Sequence, residues 1–361
     1  MRKRISIYVF SVLLLMACTE PFDPEIRSPD DVMVVEGMIT DATGSHFVRL
    51  FMTSPFNEGI QDRPVRHARV VVSDQDFGQV EFTENAPGLY LPPDDFSGKV
   101  GHTYELKIET AEGDIYRSGP QTIVPGIQLE ELSVEYTHEE RPVENVFGEM
   151  EYQQVPGLRF AVDIENYDLS SPRMRFENQL LVQYVLEEKD PVIADDPDLS
   201  YCRRKLAMDT KVNVAVPFNE YASGRSLHHE LVFMPAVITF FGISDDWLFR
   251  RLDRRAIIVR QFTLNEDSYV FYKSLHEQMS AEGRIFDPIA AQLRGNMYCV
   301  SDPDRPVMGH FEASSLFSAS FVLSPEPITA NRFWAQRTHD LEYLPEGEDC
   351  YVNYRPHGWI F

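Results

Sequence analysis

Basic residues and cysteines are scarce in this sequence. The 361 residues include 33 Lys and Arg against 57 Asp and Glu, which gives a net charge of −24. A surface of this sign repels phosphate groups, so the composition argues against a nucleic-acid partner and against a basic patch that binds anionic lipid. The hydrophobic content of 43% is that of a folded protein, and the length is enough for two domains.

The motifs of the common enzyme classes are also missing. The chain has no G-x-S-x-G nucleophile elbow, no H-E-x-x-H zinc motif, no G-x-x-x-x-G-K-[ST] phosphate loop and no G-x-G-x-x-G dinucleotide motif. We therefore predict a protein that is not an enzyme, with no catalytic residue and no cofactor. A carboxylate pair assembled from distant residues would escape such a search, so an enzyme acting on envelope polymers stays an alternative.

The N-terminus has the pattern of a signal peptide. Three basic residues, Arg2 to Arg4, precede an apolar run from Ile5 to Met16, and Ala17-Cys18 closes it. The run has about a dozen residues, whereas a retained membrane-spanning helix needs about 20. Leu15 lies three residues before the expected cleavage site, which fits a lipoprotein signal better than an ordinary secretory one. We predict that residues 1–17 are removed and that Cys18 is lipidated.

A lipidated Cys18 leaves Cys202, Cys299 and Cys350. In an oxidising envelope one pair of these could form a disulfide with one thiol left over, and the sequence does not choose among the three pairings. No C-x-x-C or H-x-x-x-H spacing accompanies them, so we predict no zinc site. Residues 18–31, acidic and interrupted by prolines, are expected to be a tether.

Short strands separated by turn residues are predicted from residue 32 onward. The strand-like segments are rich in β-branched and aromatic residues, and several alternate between apolar and polar side chains. They cover residues 32–40, 46–53, 68–74, 79–83, 102–110 and 114–117. We expect residues 32–125 to form an antiparallel β-sandwich of the Ig-like or carboxypeptidase-regulatory-like kind.

Residues 126–361 are predicted to form a larger, β-rich domain with one α-helix. Strands are expected at 158–164, 180–186, 212–217, 230–241, 256–263 and 309–324, and the polar stretch 137–154 is expected to be a loop or a hairpin. The helix is predicted at about 265–282, with Asn265 capping its start and Gly283 its end. Its apolar and small residues recur at helical spacing, at Ser268, Tyr272, Leu275 and Met279.

Four polar clusters could carry chemistry, but each has a simpler interpretation. His228 and His229 would point to opposite faces of a strand and could not share one metal ion without a bulge. Two aspartate-rich segments have the spacing of calcium loops, yet they lack the downstream glutamate, and turns favour the same residues. An arginine run could bind a partner's carboxylates or neutralise nearby aspartates. These segments are Asp74-x-Asp76-x-Gly78, Asp195-Asp196-x-Asp198 and Arg250-Arg251-x-x-Arg254-Arg255. We predict no metal site.

Several segments, in order along the chain, resemble a family of uncharacterised Bacteroidota lipoproteins classed as a domain of unknown function. They include Cys18-x-Glu20-Pro21-Phe22, Val34 to Asp41, Ala68 to Asp74, Gly88-Leu89-Tyr90, Gly101 to Leu106, Ser268 to Leu275, Phe286-Asp287-Pro288, Gly295-Asn296, Gly309-x-Phe311 and Pro356-x-Gly358-Trp359. The resemblance implies an outer-membrane lipoprotein, often encoded beside a TonB-dependent receptor. The family has no established catalytic residues to carry over. The closing segment has one cysteine, Cys350, where two are expected in many relatives.

Together these observations predict a lipid-anchored, non-enzymatic outer-membrane protein that binds a partner as an accessory to a TonB-dependent receptor in nutrient uptake. The non-enzymatic alternative is a structural or adhesive surface protein, in which the first domain is only a spacer. Acidic residues close behind Cys18 hint at exposure on the cell surface.

Overall fold

A computed structural model gives the fold of the chain. It describes residues 32–54, 63–75, 78–127, 132–144, 147–167, 173–185, 201–207, 212–215, 225–235, 252–281, 293–323 and 335–338. This described part is mainly β with a single helix, which confirms the predicted fold class. No helix in these residues is long and apolar enough to cross a membrane.

The first nine strands lie between residues 33 and 122. They are β1 (Met33–Thr40), β2 (Phe47–Met52), β3 (Arg63–Pro64), β4 (Arg69–Asp74), β5 (Gly78–Ala86), β6 (Leu89–Leu91), β7 (Thr103–Glu109), β8 (Ile115–Ser118) and β9 (Gln121–Thr122). The six strands predicted here are all present, with ends that differ by at most three residues.

These strands form a curled sheet around one core. Strand β5 turns the corner, because its first half pairs with β4 and its second half with β6. Side chains from facing strands therefore meet in a common interior, where Val35, Leu50 and Leu106 are fully buried. The finer prediction of an Ig-like or carboxypeptidase-regulatory-like sandwich is not confirmed.

The remaining elements follow from residue 132. They are β10 (Leu132–Glu144), β11 (Met150–Tyr167), β12 (Arg173–Val185), β13 (Tyr201–Ala207), β14 (Asn213–Ala215), β15 (Arg225–Pro235), β16 (Leu252–Leu264), α1 (Glu266–Ser280), β17 (Met297–Cys299), β18 (Val307–Leu323) and β19 (Ala335–Thr338). The polar stretch 137–154, expected to be a loop or a hairpin, belongs to the β10–β11 hairpin.

Strand β18 joins the two parts of the chain. Its first half runs parallel to β1, from Met33↔Val307 to Thr40↔Ser314, and its second half runs antiparallel to β16. The main sheet is therefore continuous across residue 126, where we placed a domain boundary, and that boundary stays a prediction. A second, three-stranded sheet of β10, β11 and β15 packs over β12, β16 and β18 and buries a second core, which includes Phe160, Phe176 and Phe321.

The parallel pairing of β1 with β18 depends on Gly309. Its φ is +95°, and a Cβ there would lie 1.9 Å from the carbonyl oxygen of Val35. A side chain would therefore push the two strands apart. Nearby, Asn296 binds both backbone groups of Phe311, since its Oδ1 accepts from the amide N–H and its Nδ2 donates to the carbonyl.

Candidate functional site

The cysteine predictions fall only partly within the described residues. Cys299 lies buried in β17, and its Sγ is 3.4 Å from the Oγ of Ser301. The backbone of Cys202 pairs with Tyr184 in the β12–β13 ladder, but its side chain is outside the description. Cys18 and Cys350 also lie outside it, so lipidation and disulfide pairing stay predictions.

The two neighbouring histidines of β15 have different surroundings. His228 is exposed, with its Nδ1 2.7 Å from Asp163, whereas His229 stacks on Phe176 and binds the Oδ1 of Asn213 at 2.5 Å. Burial lowers the pKa of His229 to about 4. In the part of the chain that the structure describes, no three His, Cys, Asp or Glu side chains are grouped as metal ligands.

The other polar clusters are less completely described. Asp74 accepts a hydrogen bond from the Nδ1 of His102 at 3.0 Å at the edge of the curled sheet. Asp76, the second aspartate cluster and the first two arginines of the arginine run lie outside the described residues. Arg254 and Arg255 belong to β16 and pair with β12 through their backbones, and Arg255 also pairs with Leu323 of β18.

A group of buried polar side chains joined by hydrogen bonds lies beneath the first turns of α1. The helix begins as predicted, because the Oδ1 of Asn265 accepts from the amide of Ser268 and caps the first turn. It ends at Ser280 with Ala281 as its C-cap, two residues before the predicted end, and Gly283 lies outside the described residues. The buried face of α1 covers β12 and β18 where the two parts of the chain meet.

An ion pair between Arg175 of β12 and Glu312 of β18 is at the centre of this region. The Nε and Nη2 of Arg175 lie 3.0 and 2.9 Å from the Oε2 of Glu312, whose side chain is 0% exposed. Ser314 donates to the other carboxylate oxygen at 2.5 Å. Phe262 stacks on the guanidinium at 3.9 Å. Each oxygen of the buried carboxylate therefore has a hydrogen-bond donor.

The ionisation of this pair is fixed by its surroundings. Burial by itself lowers the pKa of Arg175, but Glu312 and nearby negative groups outweigh it and raise that pKa above its usual value. Burial also raises the pKa of Tyr272, and Glu312 adds to the rise, so the phenol stays protonated and can donate.

A second chain of hydrogen bonds joins α1 to the first part of the chain. The Oγ of Ser268 donates to the Oε1 of Gln121 at 3.0 Å, and the Nδ2 of Asn265 donates to the same oxygen at 2.8 Å. Because the single proton of Ser268 is used in this way, the Nε2 of His310, 2.9 Å away, must donate to Ser268. Burial lowers the pKa of His310 to about 4, and its ring stacks on Phe271.

We call this set of residues the junction: Gln121, Arg175, Ser268, Tyr272, His310 and Glu312. A serine bonded to a histidine resembles the start of a catalytic triad, but Ser268 is fully buried and its proton points away from the histidine. A substrate could reach it only if the helix moved away. The geometry supports a role in holding α1, β12 and β18 together.

A quite different feature is the distal part of the β10–β11 hairpin. In the described residues, β15 pairs with β11 from Gly157 onward, whereas β10 and β11 remain paired as far as Glu144↔Met150. Residues 138–144 and 147–156 therefore project beyond the sheet, by about 20 Å at the usual rise per residue of a strand. We call this segment the arm. Phe147, Met150 and Tyr152 are 85%, 64% and 73% exposed at its end.

Comparison with known proteins places the chain in a family. A model of a domain of unknown function, DUF4249, matches residues 19–319. The chain belongs to the DUF4249 family. No curated protein and no solved structure matches it.

The residues that suggested this family from the sequence have clear structural roles in the DUF4249 chain. Ser268 and Tyr272 belong to the junction, and Phe271 stacks on its histidine. Gly309 permits the parallel pairing of β18 with β1, and Asn296 fixes the backbone of Phe311 in the same strand. These residues build the joint between the two parts of the domain, whereas the arm contains none of the quoted motifs.

Proposed function

We propose that this DUF4249 protein is a lipid-anchored outer-membrane protein that binds a protein partner as a non-enzymatic accessory to a TonB-dependent receptor in nutrient uptake. The anchor is supported by the signal-peptide pattern that ends at Cys18, and receptor association by the resemblance to Bacteroidota lipoproteins. The observation that carries the binding role is the arm, because large apolar side chains exposed together in a soluble domain mark interaction sites.

The geometry suits a tethered binding protein. The 14 residues from 18 to 31 lead directly into β1, and a fully extended tether of that length spans about 50 Å at most. The folded domain could therefore approach a neighbouring membrane protein without leaving its anchor. Confinement beside the partner raises its effective concentration, so even a modest contact would suffice for association.

Fractionation of native cells tests the anchor. Wild-type protein should be recovered with the outer membrane, and Cys18→Ala should lose the lipid and leave that fraction. Cys299→Ala is the matched control, because it removes a different cysteine and should not change the location. Recovery of wild-type and Cys18→Ala protein alike in the soluble periplasmic fraction would overturn the anchored function.

Purification of the tagged protein in mild detergent tests the partner. A TonB-dependent barrel in stoichiometric amount is the expected result. If matrix glycans or host proteins are recovered and no barrel is present, the adhesive alternative replaces the uptake role.

A further inference from the structure

We propose that the arm is the docking surface for a protein partner whose contact region is apolar and rimmed by Lys and Arg. The inference rests on the proposed function, since it specifies how that function would recruit a partner. It assigns the contact to the arm, formed by residues 138–144 and 147–156.

The apolar side chains of the arm continue the inner face of a buried sheet. Side chains alternate along β11, so Met150 and Tyr152 lie on the same face as Leu158 and Phe160. The latter two are about 1% exposed because β12, β16 and β18 cover them, whereas the former two extend past that cover. A partner that packed on Met150 and Tyr152 would extend the same hydrophobic layer.

Among the described residues, the arm also has a strand edge without a paired neighbour. Residues 150–156 of β11 pair with β10 on one side, and no strand in the described ranges pairs with them on the other, where β15 would have to continue. Backbone groups along such an edge can bind an extended segment of another chain. The apolar face and the open edge are contiguous, so one partner could use both.

The base of the arm is fixed, which lowers the entropic cost of binding. The guanidinium of Arg141 stacks on Phe233 of β15 at 4.6 Å and pairs with Glu139 at 3.0 Å. Glu139 is in turn 3.3 Å from Arg159. These contacts connect the arm to the neighbouring strands and orient its exposed face before any partner arrives.

Charge selects the kind of partner. Glu140, Glu149 and Glu151 are exposed around the apolar residues, and Arg141 is the one Lys or Arg within residues 138–156. An acidic rim attracts a basic protein surface and repels the anionic headgroups that membrane-inserting segments bind through Lys and Arg. In a contact between two copies of the arm, the glutamates of one copy would repel those of the other. These observations favour a basic protein surface over a lipid bilayer or a self-association.

Site-specific photo-cross-linking in native cells tests the proposal. A photoreactive amino acid replaces Tyr152 in the arm or, as the matched control, Val270, which is 53% exposed on α1. The expected result is an adduct from position 152 with one outer-membrane protein, mapped by mass spectrometry to an apolar patch flanked by Lys and Arg. Position 270 should give no such adduct. Adducts with lipid, with a second copy or with another part of the same chain would overturn the proposal.

Two variants test the chemistry of the contact. Glu149→Lys/Glu151→Lys should lower the cross-linking yield from position 152 by about tenfold, and Phe147→Ser/Met150→Ser by a similar factor, because loss of interface anchors commonly costs this much. Glu112→Lys, in a turn of the curled sheet, should leave the yield unchanged. An unchanged yield in both arm variants would reject the arm even if the receptor still co-purifies with wild-type protein, and that result would leave the proposed function intact.

Discussion

Beneath α1, charged and polar side chains are withdrawn from water, and at the end of the arm large apolar side chains are exposed to it. Both arrangements cost free energy unless something compensates for them. In the junction the compensation is internal, because Glu312 receives hydrogen bonds from Arg175 and Ser314. In the arm, Met150 and Tyr152 are 64% and 73% exposed to water. The difference fits a junction that serves folding and the proposal that the arm serves binding.

Removal of one partner from the buried ion pair should have the largest effect on stability. Arg175→Met leaves the carboxylate of Glu312 without its counterion in a site that water does not reach, and we expect a loss of about 3–5 kcal/mol in the free energy of unfolding. Equilibrium unfolding in urea measures it. The double variant Arg175→Met/Glu312→Leu should recover at least half of the loss, because no charge is then left buried. A loss below about 1 kcal/mol in the single variant would mean that the junction does not hold the two parts together.

A second comparison separates steric crowding from backbone strain. Gly309 and Gly113 have nearly the same φ, +95° and +94°, but a Cβ at Gly113 would meet no atom within 4 Å. Alanine at either position carries the cost of the unfavourable backbone conformation. Gly309→Ala should lose about 1–3 kcal/mol more than Gly113→Ala, because its Cβ also displaces β1. Equal losses in urea unfolding would show that the pairing of β1 with β18 tolerates a side chain.

The sequence predicts the elements of the fold much better than their partners. The early strands are recognisable because each is short, partly alternating and bounded by turn residues. The predicted strand at 180–186 begins seven residues after β12 does, although Arg173 to Glu177 alternate between charged and apolar residues. The signal was present, but the partner of Arg175 lies 137 residues away in sequence, on β18. No local pattern reveals a contact of that range.

In the arm, the secondary structure itself is difficult to predict. Residues 137–154 are polar on both faces, so their periodicity does not distinguish a loop from a two-stranded hairpin. Tyr152 and Met150 resemble isolated surface residues until the pairing of β10 with β11 places them on one face. The helix, by contrast, was predicted from its cap and spacing alone, because Asn265 and the following turn act locally.

Acid should destabilise the junction through His310. The pKa of its imidazole is about 4 in the folded protein and about 6.5 when the chain unfolds, so the unfolded state binds more protons between those values. The contribution of neutral His310 to the free energy of unfolding is therefore fully present above pH 6.5. It falls as the pH decreases towards 4, by up to about 1.4 kcal/mol per pH unit.

Urea unfolding at pH 7 and pH 5 checks this prediction. His310→Gln should reduce the difference in unfolding free energy between the two pH values, whatever it costs at pH 7. His138→Gln, which removes an exposed histidine at the base of the arm, should leave that difference as it is in the wild-type protein. If both variants keep the wild-type pH dependence, His310 does not titrate differently in the two states.

Substitutions in the arm should have the smallest effect on stability. The contrast between the junction and the arm depends most on this result. Met150→Ser/Tyr152→Ser removes side chains that are 64% and 73% exposed, so little apolar area returns to water on unfolding, and the loss should stay within about 0.5 kcal/mol. Val270→Ser/Met279→Ser, on the exposed face of α1, is the control for apolar surface elsewhere. A loss above about 1 kcal/mol for the arm variant alone would show that these side chains already have a partner within the chain. If the arm variant shows no such loss, the exposed side chains of Met150 and Tyr152 lower solubility without adding stability. That result would support the proposal that they contact another molecule.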